Sequence, residues 1–252
     1  MHGLGNDFVV LDGVTQALPI SRSWICAIAD RHRGIGCDQV LIAEASSKPN
    51  VDFNYRIFNV NGSESGQCGN GARCLAKFLR DKKLTHKNKL VLATKNTTLV
   101  VDILDDENIT VDMGLPQQIN KHTLHGLEFV SLSLGNPHAV TVVRELDGMD
   151  IAPIGKLMNE AAYFPEGVNV GFMQIIHKNK IKLRVYERGA GETQACGSGA
   201  VAAVVAGCVQ GLLDRKVMVE LPGGVLKIVW PDEKSSILMT GPAVTVFEGE
   251  LI

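Results

Sequence analysis

The chain has 252 residues, 45% hydrophobic and 21% charged, with a formal net charge of −2. That length holds one large or two ordinary domains with real cores, and the near-neutral balance excludes electrostatic binding to nucleic acid or an anionic membrane, so a small molecule is the default partner. There is no leader-like opening and no apolar stretch of spanning length, and the six cysteines are too few and too irregularly spaced for a disulfide framework, so the expectation is a soluble, cytosolic protein with free thiols.

Taken in order, alternating or β-branched runs predict strands at 8–11, 40–43, 52–58, 89–94, 99–104 and 109–113, with a weak helix at 23–31 and a strong one at 71–82. Gly114-Leu115-Pro116 carries break signals and leads into a polar stretch through Lys121. The second half repeats the style, with strands at 129–134, 139–143, 169–176, 180–186, 217–221, 224–230 and 236–240, a weak helix at 154–161 and a strong one at 199–213. The last of these is almost wholly apolar, and a helix greasy on every side must be surrounded by protein. The predicted class is α/β of the α+β kind: two pseudo-symmetric domains, each a mixed or antiparallel sheet wrapped around a central helix, with the active site in the cleft between them. The expected domains are 1–114 and 115–241, with 242–252 returning to the first.

An internal repeat supports the duplication. Cys68-Gly69-Asn70-Gly71-Ala72 recurs as Cys196-Gly197-Ser198-Gly199-Ala200, 128 positions on, and the match runs upstream from Arg56-Ile57-Phe58-Asn59 to Arg184-Val185-Tyr186-Glu187 and from Glu64 to Glu192. Leu4-Gly5-Asn6 recurs as Leu134-Gly135-Asn136 at a shift of 130. Asn6 with Asn136, Gln39 with Asn169, and Asn59 with Glu187 therefore occupy equivalent places. A repeat this long fits a duplicated domain rather than a solenoid.

Both strong helices begin just after the repeated cysteine, where unpaired N–H groups and the helix dipole favour thiolate and lower the thiol pKa. The flanking glycines let an anionic group reach the backbone amides. If the halves face each other, two helix N-termini can share one carboxylate while two sulfurs flank the carbon beside it. That is the requirement for inverting a stereocentre without a cofactor: one group removes a proton from one face, and the other returns one to the opposite face. Cys26, Cys37, Cys74 and Cys208 are read as small buried hydrophobes, and His32, His122 and His125 as solvated surface. The run from Gly197 to Ala202 also meets a loose dinucleotide fingerprint, but no strand runs directly into it and no βαβ unit is expected around it. No Cys or His spacing fits zinc, so no metal is expected.

With these residues in view the chain resembles the diaminopimelate epimerase family, which interconverts LL- and meso-diaminopimelate without a cofactor. The resemblance is carried by Met1-His2-Gly3-Leu4-Gly5-Asn6-Asp7-Phe8, by Cys68 through Cys74, and by Glu187-Arg188-Gly189 through Ala195-Cys196-Gly197-Ser198-Gly199. It implies that Cys68 and Cys196 are the acid–base pair, donor and acceptor respectively, exchanging roles with direction. It implies that the substrate α-carboxylate rests on the amides of Gly69, Asn70, Gly197 and Ser198. Asn6, Gln39, Asn59, Asn136, Asn169 and Arg188 would hold the substrate, largely its distal end, and Glu187 and His138 would contact the reacting amine or adjust the cysteines. A homodimer is implied, with Phe247 in the terminal run as a dimer contact. Relatives usually carry several residues before the opening Met, so the expectation is either a shortened first strand or a true start that lies upstream. They also usually have Ala and Asp at the middle positions of Asn59-Val60-Asn61-Gly62, but Asn59 is kept and little functional change is expected.

The nearest rival is a proline or hydroxyproline racemase using the same paired thiols, but a cyclic substrate with no second charged end would leave Arg188 and several amides unpaired in a closed site. A thiol redox protein working through a Cys68–Cys196 disulfide is a different class, as is a non-catalytic binding module. Redox pairs usually lie close in sequence, and retention of both cysteines argues against a module without chemistry.

Overall fold

Two parallel crossovers in each half organise the computed structural model, which describes residues 1–104, 108–124 and 126–251. The chain divides into two compact units, Met1–Asp112 with Thr240–Ile252, and Met113–Met239.

In the first unit β1 (His2–Gly3) turns through Leu4 and Gly5, both at positive φ, into antiparallel β2 (Asn6–Gly13). Helix α1 (Arg22–Ala29) is capped by Ser21, whose hydroxyl accepts from the Trp24 N–H, and leads to β3 (Gln39–Ala45), parallel to β2. β4 (Phe53–Asn59) runs antiparallel to β3; α2 (Gly69–Asp81) then crosses to β5 (Lys89–Ala93), parallel to β4. β6 (Thr98–Ile103) and β7 (Asn108–Asp112) follow as an antiparallel meander.

The second unit repeats this order. β8 (Gln117–Leu124), β9 (Leu127–Ser133) and β10 (Pro137–Val143) are antiparallel, and α3 (Ala152–Glu160) crosses to β11 (Asn169–His177), parallel to β10. β12 (Lys180–Glu187) runs antiparallel to β11 and folds back as β13 (Gly191–Thr193). Helix α4 (Gly197–Val209) then crosses to β14 (Lys216–Leu221), parallel to β12, followed by β15 (Gly224–Val229). β16 (Leu238–Pro242) spans the point where the chain passes back to the first unit, and there the Thr240 hydroxyl bonds that of Thr110 at 2.8 Å. Register repeats as well as order: Phe8 lies opposite Gln39 and His138 opposite Asn169.

Each long helix is the centre of its own unit. α2 packs against β1, β2, β3, β4, β6 and β7, and α4 against β9, β10, β11, β12 and β15, which requires the sheet to wrap the helix. The side chains follow: α2 exposes a polar edge at Asp81, whereas α4 is buried from Gly199 to Gly207 and carries only small and β-branched residues there. The terminal segment is tied to the first unit by reciprocal backbone bonds between His2 and Val244, both 2.9 Å, by Arg73 Nε donating to Pro242 O at 3.2 Å, and by Lys82 with Glu248 at 2.7 Å.

Several expectations are corrected. The second strong helix ends at Val209, not 213: Gly211 adopts φ 72 and the Leu212 N–H returns to Gly207 O at 2.9 Å, a Schellman closure that a run of apolar letters hides. β8 went unread because its residues are mostly polar; with β9 as its neighbour and a register shift between Gln117 and Asn120, it needs no apolar alternation. A βαβ unit does surround the glycines after Cys196, since β12 and β14 are parallel, yet the β13 hairpin separates the strand from the glycines, unlike a dinucleotide fold. His122 is half-buried, packed on Phe129 and Tyr163 and hydrogen-bonded to the Tyr163 hydroxyl, while His32 is exposed. The expectation for His125 lies outside the described residues.

Candidate active site

Each repeated cysteine is the N-cap of its unit's central helix. Cys68 has extended backbone, and its Sγ accepts the Gly71 N–H at 3.4 Å; its carbonyl receives the Ala72 N–H at 2.9 Å and the Tyr55 hydroxyl at 3.1 Å. Tyr55 on β4 is fully buried, and burial holds its hydroxyl protonated, far above the ordinary phenol range. Close approach is why Gly71 is glycine: a Cβ there would stand 2.2 Å from the Tyr55 oxygen. The Cys68 sulfur is also 4.0 Å from Asn6 Oδ1, which accepts from Asn70 Nδ2 at 3.3 Å.

Cys196 is the N-cap of α4 with the same extended backbone and the Ala200 N–H on its carbonyl at 2.9 Å, but its side chain makes no cap hydrogen bond and it is only 5% exposed. Burial raises its pKa well above the ordinary thiol value; the charge of Glu187 adds to this, while the Gly199 N–H and the Ser198 hydroxyl pull the other way. The expectation that a helix N-terminus alone lowers the thiol pKa is therefore corrected at Cys196. Desolvation and the Glu187 charge outweigh the Gly199 N–H and the Ser198 hydroxyl. Glu187, at the end of β12, accepts from Thr193 Oγ1 at 2.6 Å across the β12–β13 hairpin.

The approach to each cysteine is stapled by an ion pair in the same register. Phe58 lies opposite Glu64 and Tyr186 opposite Glu192, so the arginine two residues earlier reaches the carboxylate diagonally. Arg56 holds Glu64 through two bonds of 2.9 and 3.3 Å, and Arg184 holds Glu192 through two of 2.6 and 2.8 Å.

The other predicted residues divide between the units. In the first, Gln39 Nε2 donates to Asn59 Oδ1 at 2.9 Å, joining the start of β3 to the end of β4, and Asn6 stands beside Cys68. In the second, buried Asn169 donates to Pro137 O at 3.2 Å and accepts the Arg188 N–H at 3.0 Å. The exposed Arg188 guanidinium donates through Nη1 to Glu166 O at 2.9 Å. Asn136 Oδ1 is 3.0 Å from Nε2 of His138, which is buried. Phe247 is exposed in the terminal run. Among the described residues no group of three or more His, Cys, Asp or Glu lies close enough to hold a metal ion, and no helix is long and apolar enough to cross a membrane. None of the six cysteines, all among the described residues, is in a disulfide.

The family model for diaminopimelate epimerase matches residues 1–119 and 130–246. The chain belongs to the diaminopimelate epimerase family. A relative named diaminopimelate epimerase, from Teredinibacter turnerae, is 47% identical over 267 aligned residues, covering all of this chain and 97% of the relative. Among solved structures, a PhzF-family phenazine biosynthesis protein of Bacillus anthracis superposes with a TM-score of 0.76 at 19% identity, over 100% of this chain and 95% of that one. A hydroxyproline epimerase of Agrobacterium vitis superposes with a TM-score of 0.64 at 14% identity, over 96% and 87%. Likenesses that remote speak to the fold alone, and the diaminopimelate epimerase family shares that fold with them.

Sequence reading missed Tyr55 and Thr193, which hold the Cys68 carbonyl and the Glu187 carboxylate in this family member. The internal repeat offers no sign of Tyr55, which corresponds to Leu183, whereas Thr193 corresponds to Ser65, a shared hydroxyl that could have singled it out.

His138 gives a stability prediction. Burial, and secondarily the charge of Arg188, push its pKa down from 6.5 to about 3, so it is neutral in the folded protein. Because the folded value lies below the unfolded one, the unfolded chain binds the extra proton first as pH falls. The stability that neutral His138 permits is complete above about pH 6.5 and is lost toward pH 3, with a slope of about 1.4 kcal/mol per unit. Urea melts from neutral pH downward are expected to show this slope, reduced by about that amount in His138→Gln; identical slopes in the two proteins would refute it.

Proposed function

We propose that the protein is a cofactor-independent epimerase that interconverts LL-2,6-diaminopimelate and meso-2,6-diaminopimelate, serving lysine and peptidoglycan precursor synthesis. One observation carries the reading: in a member of this family, both repeated cysteines stand at the N-cap of the central helix of their unit with the same extended backbone.

The chemistry follows from that placement. In one direction Cys196 takes the α-proton as thiolate and the Cys68 thiol delivers a proton to the opposite face; in the other direction the roles exchange. Negative charge grows on the substrate α-carboxylate as the proton leaves, and the amides of Gly69, Asn70, Gly197 and Ser198 at the two helix starts stabilise it more than the ground state. Burial makes the Cys196 thiolate costly, so Glu187 beside it serves as the group that takes the thiol proton and hands the sulfur to the reaction as base. Neutral His138 holds Asn136 in orientation. Asn6, Gln39, Asn59, Asn136, Asn169 and Arg188 hold the substrate, and the Arg188 fork suits a distal carboxylate.

Six free thiols support a reducing, cytoplasmic setting. We also infer a homodimer in which the exposed Val246 and Phe247 of the terminal run make contact.

Substrate choice tests the reading. Purified protein is expected to epimerise LL-diaminopimelate and to racemise proline and epimerise hydroxyproline at least about a hundredfold more slowly, since the site would leave polar groups unpaired with a cyclic substrate. Preference for proline or hydroxyproline would overturn the assignment.

A further inference from the structure

Behind Asn6 lies a hydrogen-bond chain of fixed polarity that has no counterpart among the described residues of the second unit. Arg31, which can only donate, holds Asp7 through Nη1 and Nη2 at 2.8 and 2.7 Å and reaches Asp38 Oδ1 at 2.8 Å. The other oxygen of Asp38, Oδ2, accepts Asn6 Nδ2 at 2.9 Å and the Asp7 N–H at 3.2 Å, while the Asp38 N–H returns to Asp7 Oδ1 at 2.8 Å. A carboxylate can bind only the NH2 end of an amide. The Asn6 carbonyl oxygen is therefore the end left facing the Cys68 sulfur. In the second unit the position corresponding to Asp38 is Val168, and the carbonyl oxygen of Asn136, the counterpart of Asn6, is taken by His138.

We propose that Asp38 is a positioning residue that fixes the amide of Asn6 with its oxygen toward Cys68, so that Cys68 keeps its proton as a hydrogen-bonded thiol in the resting enzyme. The inference rests on the two-thiol reading above and deepens it. A two-base epimerase must start with its thiols in unlike states, and this device sits beside one of the two only. A hydrogen bond from the neutral thiol disfavours its ionisation. The cluster adds little to stability because it is half-exposed, with the Asp38 side chain at 47% and Arg31 at 53%, so altering it should leave the protein folded.

The deciding variant is Asp38→Asn. With its amide oxygen on Arg31 its NH2 faces Asn6, which inverts the Asn6 amide against the bond it accepts from Asn70 Nδ2 and presents an N–H to the Cys68 sulfur, at the cost of the bond from the Asp7 N–H. Alkylation of the substrate-free protein by iodoacetamide, followed by mass spectrometry of the Cys68 and Cys196 peptides, reads this without any turnover. In about 1 M salt, where exposed charges are screened over about 3 Å, Cys68 in Asp38→Asn is expected to react about 3–10-fold faster than in the wild type, with Cys196 within about twofold. The exchanged pair Asn6→Asp/Asp38→Asn restores an acceptor facing the sulfur and is expected to return the Cys68 rate to the wild-type value or below. For epimerisation, Asp38→Asn is expected to lower kcat about tenfold with KM changed less than about threefold. An unchanged Cys68 rate in Asp38→Asn, with melting temperature preserved, would overturn the proposal, as would an exchanged pair that alkylates as fast as the single variant. Wild-type protein that fails to epimerise diaminopimelate would refute the functional reading instead, and the alkylation result stands apart from it.

Discussion

Cys68→Ala and Cys196→Ala are each expected to lose epimerisation of LL-diaminopimelate by about 10²–10⁴-fold, the range over which a positioned acid or base contributes. The two losses should be similar in size, because each sulfur is base in one direction and acid in the other. In deuterated water the wild type is expected to place solvent deuterium at the α position as it inverts. Neither alanine should unfold the protein: the backbone caps remain, with the Ala72 and Ala200 N–H groups still on the carbonyls of residues 68 and 196. Turnover within tenfold of wild type in either variant would remove the two-base mechanism, whatever the family relationship.

Gly71→Ala is expected to cost about 2–4 kcal/mol and to lower the melting temperature by about 5–15 °C, combining overpacking with a lost hydrogen bond. The added Cβ would meet the Tyr55 oxygen at 2.2 Å and Leu41 Cδ1 at 3.2 Å, and Tyr55 is fully buried. Displacing Tyr55 also frees the Cys68 carbonyl, so activity should fall about 10–100-fold beyond any effect of unfolding, as small misplacements of a reacting group do. Tyr55→Phe removes the clashing oxygen. The double variant Tyr55→Phe/Gly71→Ala should therefore recover more than half of the lost stability, a coupling that contact predicts and independent sites would not show. Additive losses in the double variant would show that the clash is not the cause.

Much of the fold was legible because the periodic patterns and the repeat say the same thing twice. The helices around 71–82 and 199–213 were found from apolar faces and glycine-flanked caps, and their starts fall where the cysteines suggested. What escaped was short or polar. β8 carries no alternation, β1 and β13 are two and three residues long, and the end of α4 depends on a left-handed Gly211 inside an apolar run. The site was legible by residue type and repeat position, but its partners were not: no sequence pattern links Tyr55 to the Cys68 carbonyl or Asp38 to Asn6, and Thr193 meets Glu187 through a hairpin that was not expected.

By itself the sequence determined the duplication, the two cysteines at helix starts and the family, since these are properties of spacing and identity along the chain. Tertiary structure decided which amide end of Asn6 faces Cys68, that His138 is neutral, and that burial raises the Cys196 thiol pKa. The physical reason is that hydrogen-bond polarity and desolvation depend on what surrounds a group in space. Some of those neighbours, as Asp38 is to Asn6, lie on strands and loops far along the chain, brought together only when the sheet closes on its helix.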